Sequence, residues 1–332
     1  MGIPQLNKFL KENCPNSIEK IPLENLRGKK IVIDAFNYLY RFTGEGTLLE
    51  SFYVMISCFR EYDIMPIFIF DGKNPVEKKE TVDLRKKSKK FAKDQYTQLK
   101  NKYYNTEHIT SEEKAEIACH MISLKKKFLS PRKDDIKLVK MLIQSYGVTY
   151  YDAEGEADVL CATLVSKNIA YAAMSDDMDM FVYGCPRVLR YLSLTNSTVF
   201  MYNFKNILME LDVNKTEFKQ ICVLSGTDYN HGMYKNASLH KTLKLYKLYR
   251  QHKYINNNMD ENDFCEWLEK NTNYIEDNIK LYNTLCIFNN DYSELYNKIN
   301  KINQNKNENG PIIRELLRAI MKRDGFMWVN SQ

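Results

Sequence analysis

The chain has 332 residues, 44% of them apolar, and carries 48 Lys/Arg against 42 Asp/Glu for a net charge of +6. That is enough apolar material for one large core or two smaller ones. No apolar run approaches the ~18 residues that a bilayer span needs and no charged-then-apolar leader opens the chain, so a soluble intracellular protein is expected. The eight cysteines stand no closer than 21 positions apart, which excludes CxxC zinc and redox motifs and points to reduced thiols. HExxH, Walker and GxGxxG patterns are absent, which removes zinc-protease, nucleoside-triphosphate and dinucleotide chemistry.

In chain order, KKIVID (29–34) and PIFIFD (66–71) are apolar, β-branched runs that each stop at an aspartate, the pattern of buried parallel strands. Between them Leu48, Leu49, Phe52, Met55, Ile56 and Phe59 recur at helical spacing, giving the crossover helix that parallel neighbours require. From about 77 to 128 the chain is charged and nearly free of Gly and Pro. This predicts helices with a polar break near 105–111, standing outside the sheet as an insertion. Residues 78–140 hold 18 Lys/Arg against 9 Asp/Glu, a local +9 that leaves the remainder near −3. Such a segment attracts polyanions, although solvated helix faces carry ordinary lysines too.

The fold resumes with an amphipathic helix (134–147) closed by Gly147, then strand VTYY, a helix after GEAD, strand IAYAAMS, the DDMDMF turn, and a hairpin from VLRYLS and TVFMYN. The alternation predicts an α/β fold with a mostly parallel central sheet flanked by helices, whose ligands gather at the carboxyl ends of the strands. Beyond residue 205 the composition turns helical and asparagine-rich, and the polar stretch 297–310 reads as a flexible linker.

Seven acids stand beside the ends of these runs: Asp34, Asp71, Glu156, Asp158, Asp177, Asp179 and Asp228. Singly, each has an ordinary explanation. Asp34, Asp71 and Asp228 suit helix or loop caps, Glu156 and Asp158 suit the first turn of a helix, and a DxD turn also occurs in phosphatases and glycosyltransferases. Several buried carboxylates converging on one pocket, however, make physical sense chiefly when divalent cations neutralise them.

In this order and spacing, MGIPQLNKFL, IVIDAFNYLYRF, IFIFDGKNPVEKKETVDLRKK, EGEADVLCATLV, YAAMSDDMDMF and LSGTDYN resemble the flap endonuclease family of structure-specific 5′ nucleases over roughly residues 1–230. The resemblance implies a nuclease core over 1–228 of the 5′ nuclease (PIN-like) kind, a helical arch inserted at 77–133, and a helical C-terminal region over 229–332. It implies a flap endonuclease and 5′→3′ exonuclease that hydrolyses DNA phosphodiesters in replication, repair or recombination. Two Mg²⁺ ions, replaceable by Mn²⁺, would be held by all seven acids: Asp34, Asp71 and Asp158 around one, Asp158, Asp177 and Asp179 around the other, Glu156 and Asp228 through water. Lys78 and Arg85 match the family's basic pair that contacts the scissile phosphate, and their spacing puts them on one helix face. Tyr40 matches an aromatic that stacks on the nucleotide, although its place beside Phe36 and Leu39 also suits a core. Gly2 belongs to the opening segment near the active site. Lys86, Lys89, Lys125, Lys126 and Lys127 suit an arch that clamps a single strand.

The chain also departs from the pattern. After Asp228 it lacks the glycine-rich loop of a helix-two-turn-helix, so that module is degenerate and a monovalent cation there is in doubt, although the basic helix 241–250 can still touch phosphates. No sliding-clamp peptide ends the chain. A monomer is expected, working in the nucleus or, since the Asn-, Lys- and Ile-rich composition suits an A·T-rich genome such as that of a large DNA virus, in a viral factory. Two alternatives stay open at this point: a non-catalytic DNA-junction binder, and a 5′→3′ exoribonuclease of the same superfamily.

Overall fold

The computed structural model describes residues 2–73, 75–105, 110–230, 238–255, 263–289, 299–300, 302, 308–323 and 325. Its centre is a seven-stranded sheet: β1 (Ile18–Pro22), β2 (Lys30–Asp34), β3 (Met65–Phe70), β4 (Thr149–Asp152), β5 (Ala172–Met174), β6 (Arg187–Ser193) and β7 (Thr198–Asn203), in spatial order β1-β7-β6-β5-β2-β3-β4. The five strands from β6 to β4 run parallel, and the hairpin β6–β7 and edge strand β1 add antiparallel pairs. The run IEKIP of β1 has two charged residues and a proline, the composition of a sheet edge, and sequence reading passed over it.

Strand alternation divides the apolar residues between two cores. Val32, Ile67, Ile69, Ala173 and Val188 face one side, while Ile31, Ile33, Phe68, Phe70, Met174 and Leu189 face the other. The second face is covered by α2 (Ala35–Glu45), α3 (Leu48–Glu61) and α6 (Lys133–Ser145). The first carries α1 (Leu6–Asn13), α7 (Ala157–Ser166), the short α8 (Asp179–Val182) and α9 (Phe204–Leu211). It also carries the C-terminal helices α10 (Lys215–Ser225), α11 (Leu239–Ile255), α12 (Phe264–Asn271) and α13 (Asn278–Phe288).

The charged insertion forms two long helices, α4 (Lys79–Asn105) and α5 (Ser111–Phe128), packed on each other. Most of the expected polar break lies outside the described residues, but its end is a capping box. Thr110 accepts from the backbone of Glu113, whose carboxylate accepts from that of Thr110. Only Thr81 and Ala92 are buried in the 27 residues of α4, so the pair stands off the sheet.

The expectation of a flexible linker over 297–310 needs correction where the chain is described. Ile299 and Ile302 are buried, Asn309 donates to the carbonyl of Ile64 at 2.9 Å, and the Gly310 N–H donates to Gly147 O at 2.9 Å. The polar composition hid two apolar anchors and a backbone docking strip. Gly147, with φ +66°, ends α6 and lets Gly310 approach; a Cβ there would meet the Gly310 carbonyl carbon at 2.5 Å. A last helix, α14 (Arg314–Arg323), then buries Leu317, Ile320 and Met321 in the second core against α6. The segment after residue 228 therefore touches both faces of the sheet.

Candidate active site

The chain proceeds from β2 to β3 and β4 on one side and returns to β5 and β6 on the other, so the strand order reverses beside β2. Ligand crevices form outside the carboxyl ends of strands at such a point. Asp34 ends β2 and caps α2: its Oδ1 accepts from the Asn37 N–H at 3.2 Å, and its Oδ2 accepts from the Ser175 hydroxyl, after β5, at 3.0 Å. Asp71 follows β3 and accepts from the Ala157 N–H at 2.7 Å, so the first donor of α7 is satisfied by a carboxylate from another strand. That loop crossing requires Gly72, where a Cβ would lie 2.2 Å from the carbonyl oxygen of Ala153.

Glu156 stands at the N-cap of α7 but makes no cap bond, which decides against the capping explanation. Lys78 donates to its Oε1, and Tyr229 donates to its Oε2, with the Tyr183 hydroxyl 3.5 Å from the same oxygen. Asp228 receives the Arg85 guanidinium at 2.5 Å, with the Lys78 ammonium 3.5 Å away. Lys78 lies on a 3-10 turn just before α4 rather than within it, yet both basic residues converge on Asp228 as their spacing predicts. In the DDMD run, Asp177 and Asp179 turn inward. Asp176 does not: its carboxylate accepts from the Tyr191 N–H at 2.8 Å, while Arg190 donates to its carbonyl.

Asp34, Asp71, Glu156, Asp158, Asp177 and Asp228 line one cavity of about 380 Å³, with Lys78 and Arg85 in the same wall. Asp179 is not in that lining but adjoins it, its N–H donating to Asp177 Oδ1 at 3.1 Å. A Cβ on Gly2 would sit 2.5 Å from Oδ1 of both Asp177 and Asp179, which places the start of the chain against the two acids. Tyr40 lies at the rim, 41% exposed, with the Lys89 ammonium 4.8 Å from its ring centre. It is therefore a surface aromatic and not the core residue that its neighbours suggested. Lys86 and Lys89 also line the cavity. Lys125, Lys126 and Lys127 end α5, outside that wall; the Lys126 backbone passes near Gly44 of α2.

Electrostatics set the character of the cavity. Burial, then the charge of Asp71, pushes Asp34 up to about 7. Burial also holds Asp158 and Asp179 well above the usual carboxylate range, reinforced by Asp34 and Asp177 respectively, and raises Asp71 and Asp177. For Lys78 burial pulls down, but the pull of Glu156 outweighs it and the ammonium is held more firmly protonated than usual. Burial and the neighbouring Glu156 keep the Tyr229 phenol protonated, which makes it a donor.

Oδ1 of Asp158 and Oδ1 of Asp179 are buried without any hydrogen-bond partner. Orphaned carboxyl oxygens in an all-oxygen donor set fit a hard divalent cation of the Mg²⁺ or Mn²⁺ kind, which would displace their protons. Among the described residues no three acids already close on one point, and Glu156 and Asp228 are engaged by Lys78 and Arg85 instead. Sequence reasoning missed Ser175, Tyr183 and Tyr229. Tyr229 directly follows Asp228 and was open to notice; Tyr183 gave no local signal.

Family models describing an XPG N-terminal domain and an XPG I-region match residues 1–92 and 147–228. Flap endonuclease 1 of Candida tropicalis is 30% identical over 295 residues, covering 82% of this chain and 72% of that protein. The chain belongs to the flap endonuclease family. Another flap endonuclease 1, from Theileria annulata, is 31% identical over 248 residues, 69% of this chain and 46% of that one. Among solved structures, the catalytic core of Rad2 in complex with DNA substrate superposes with a TM-score of 0.61 at 20% identity, covering 98% and 96% of the two chains. Human GEN1 in complex with Holliday junction DNA gives 0.58 at 16% identity, covering 98% and 74%. Both share the flap endonuclease fold. The I-region model ends at Asp228. Of the segment after Asp228 that was expected to lack the glycine-rich loop, residues 231–237 lie outside the described residues, while α10 and α11 on either side of them pack together.

Proposed function

We propose that the chain is a structure-specific 5′ nuclease that cuts DNA at 5′ flaps and nicks, with Mg²⁺ as cofactor. One observation carries the reading: six of the seven acids share a cavity with Lys78 and Arg85, with Asp179 hydrogen-bonded to Asp177 and with Lys86 and Lys89 of the basic helix α4 in the same wall. Bound divalent cations would neutralise the carboxylates, lower the pKa of an attacking water and stabilise the departing oxygen. The seven acids are the residues to hold them. In this reading Lys78 and Arg85 exchange their carboxylate partners for the scissile phosphate, where transition-state charge grows. Tyr40 offers a ring face to the nucleotide at the cavity mouth, and the lysines of α4 and α5 follow the single strand. Replication, repair and recombination supply such substrates, in the nucleus or wherever the DNA is replicated.

The test uses end-labelled 5′-flap DNA, nicked duplex and single-stranded RNA, each with Mg²⁺ or EDTA, for wild type and Asp177→Ala. Mg²⁺-dependent cutting near the flap base, lost in the variant, is expected. Tight DNA binding without cutting would instead make the chain a junction-binding scaffold. Preferential loss of the RNA would make it an exoribonuclease.

A further inference from the structure

We propose that Tyr183 and Tyr229 are positioning residues for Glu156, fixing one of its oxygens so that the other is presented to the acidic cavity. The inference deepens the nuclease reading above and rests on it. Glu156 is tied at both ends by unlike partners. Its Oε1 meets the Lys78 ammonium, a cation able to exchange one anion for another; its Oε2 meets neutral phenols, which bring no charge to a phosphate and whose rings are packed in place. The two hydroxyls are 2.9 Å apart, so Tyr183 orients Tyr229 as well as lying near the carboxylate. Departure of Lys78 therefore exposes Oε1, on a carboxylate still held through Oε2.

The phenols are themselves held. The Phe288 ring, at the end of α13, packs against both, with centroids 4.8 Å from Tyr183 and 5.4 Å from Tyr229. Lys219 of α10 donates to the Phe288 carbonyl at 2.9 Å. The loop carrying Tyr229 is locked by Asn230, whose Oδ1 accepts from both N and Oγ1 of Thr227 at 2.7 Å. The helical region after residue 228 thus reaches an acid of the cavity through one ring and two hydroxyls.

Tyr229→Phe and Tyr183→Phe in the full chain test this. Mn²⁺ binding is titrated calorimetrically without DNA, and the Mg²⁺ midpoint for flap cutting is measured in parallel. Orienting partners of metal-binding carboxylates are worth about 10- to 100-fold in metal affinity. Tyr229→Phe should weaken Mn²⁺ binding and raise the Mg²⁺ midpoint by about tenfold, with flap affinity in EDTA and melting temperature unchanged. Tyr183→Phe should move both the same way by less, since it stands farther from Glu156, and decides the matter alone where Tyr229→Phe does not fold. Wild-type values for both metals in the folded variants overturn the proposal. So does a loss that tracks a lower melting temperature or weaker flap binding, which is what packing alone predicts. A wild type that never cuts sinks the nuclease reading, while the calorimetric shift still judges the tyrosines.

Discussion

Gly2 shows how much of the cavity hangs on a single residue. Its φ of +76° is costly for an L side chain by about 1 kcal/mol or more, and the two carboxylate oxygens 2.5 Å from the position of a Cβ leave no room. Gly2→Ala should therefore displace either the chain start or Asp177 and Asp179. Single-turnover cleavage should fall by roughly tenfold to a hundredfold, as misplacements of about an ångström do. Unchanged cleavage would separate the chain start from the reaction. Asp34 and Asp71 were legible in the sequence because a strand that ends in Asp aims it at the crevice. Asp177 and Asp179 were legible against Asp176 because residues two apart share a side. Glu156 was ambiguous with a helix cap, and only its partners from elsewhere in the chain, Lys78, Tyr183 and Tyr229, resolve it.

At the scale of elements, α4 and α5 were readable from charge and from the lack of Gly and Pro, yet the capping box that starts α5 was not singled out, although T-x-x-E is a local signal. The pair is joined by a thin seam that includes Ala92, Ile117 and Leu124 and the ring pair Tyr96–Phe128, centroids 5.4 Å apart. What it presents otherwise is charge. Lys86 and Lys89 project from α4 into the cavity wall, and burial lowers the Lys89 pKa, so an arriving phosphate would recover an interaction that solvent does not supply. Each phosphate contact to a single strand releases counterions and adds about 0.7 to the slope of log affinity against log salt. Lys86→Gln with Lys89→Gln should therefore weaken 5′-flap binding and flatten that slope by about 1.4, measured by fluorescence anisotropy across a salt series. A parallel displacement with the slope intact would mean that neither lysine meets a phosphate. Lys125, Lys126 and Lys127 serve a second purpose: at the carboxyl end of α5 they complement the helix dipole, so their charge alone did not specify a role.

Across the whole molecule, the two cores and the returning α14 clamp a sheet whose centre ends in like charges, and the fold bears that repulsion. The alternation that built the sheet was plain in the sequence. The return of 308–323 was not, because it depends on Gly147 and Gly310 meeting across a long separation. The repulsion has a consequence for stability. Asp34 titrates near 7 when folded and, like any exposed aspartate, near 4 when unfolded; Asp71, Asp158, Asp177 and Asp179 are raised likewise. Between about pH 4 and pH 7 the folded state holds more protons than the unfolded one, so stability falls with rising pH. For Asp34 the contribution is complete below about pH 4 and gone above about pH 7. In EDTA the melting temperature of wild type should drop between about pH 5 and pH 7.5, and Asp34→Asn, which removes the best-defined of these groups, should lessen the drop. Mg²⁺ competes with protons for the same oxygens, so its stabilisation should be larger at the higher pH. Equal Mg²⁺ gains at both pH values, or a drop as steep in Asp34→Asn as in wild type, would show that the buried acids are not where the protein takes up its cations.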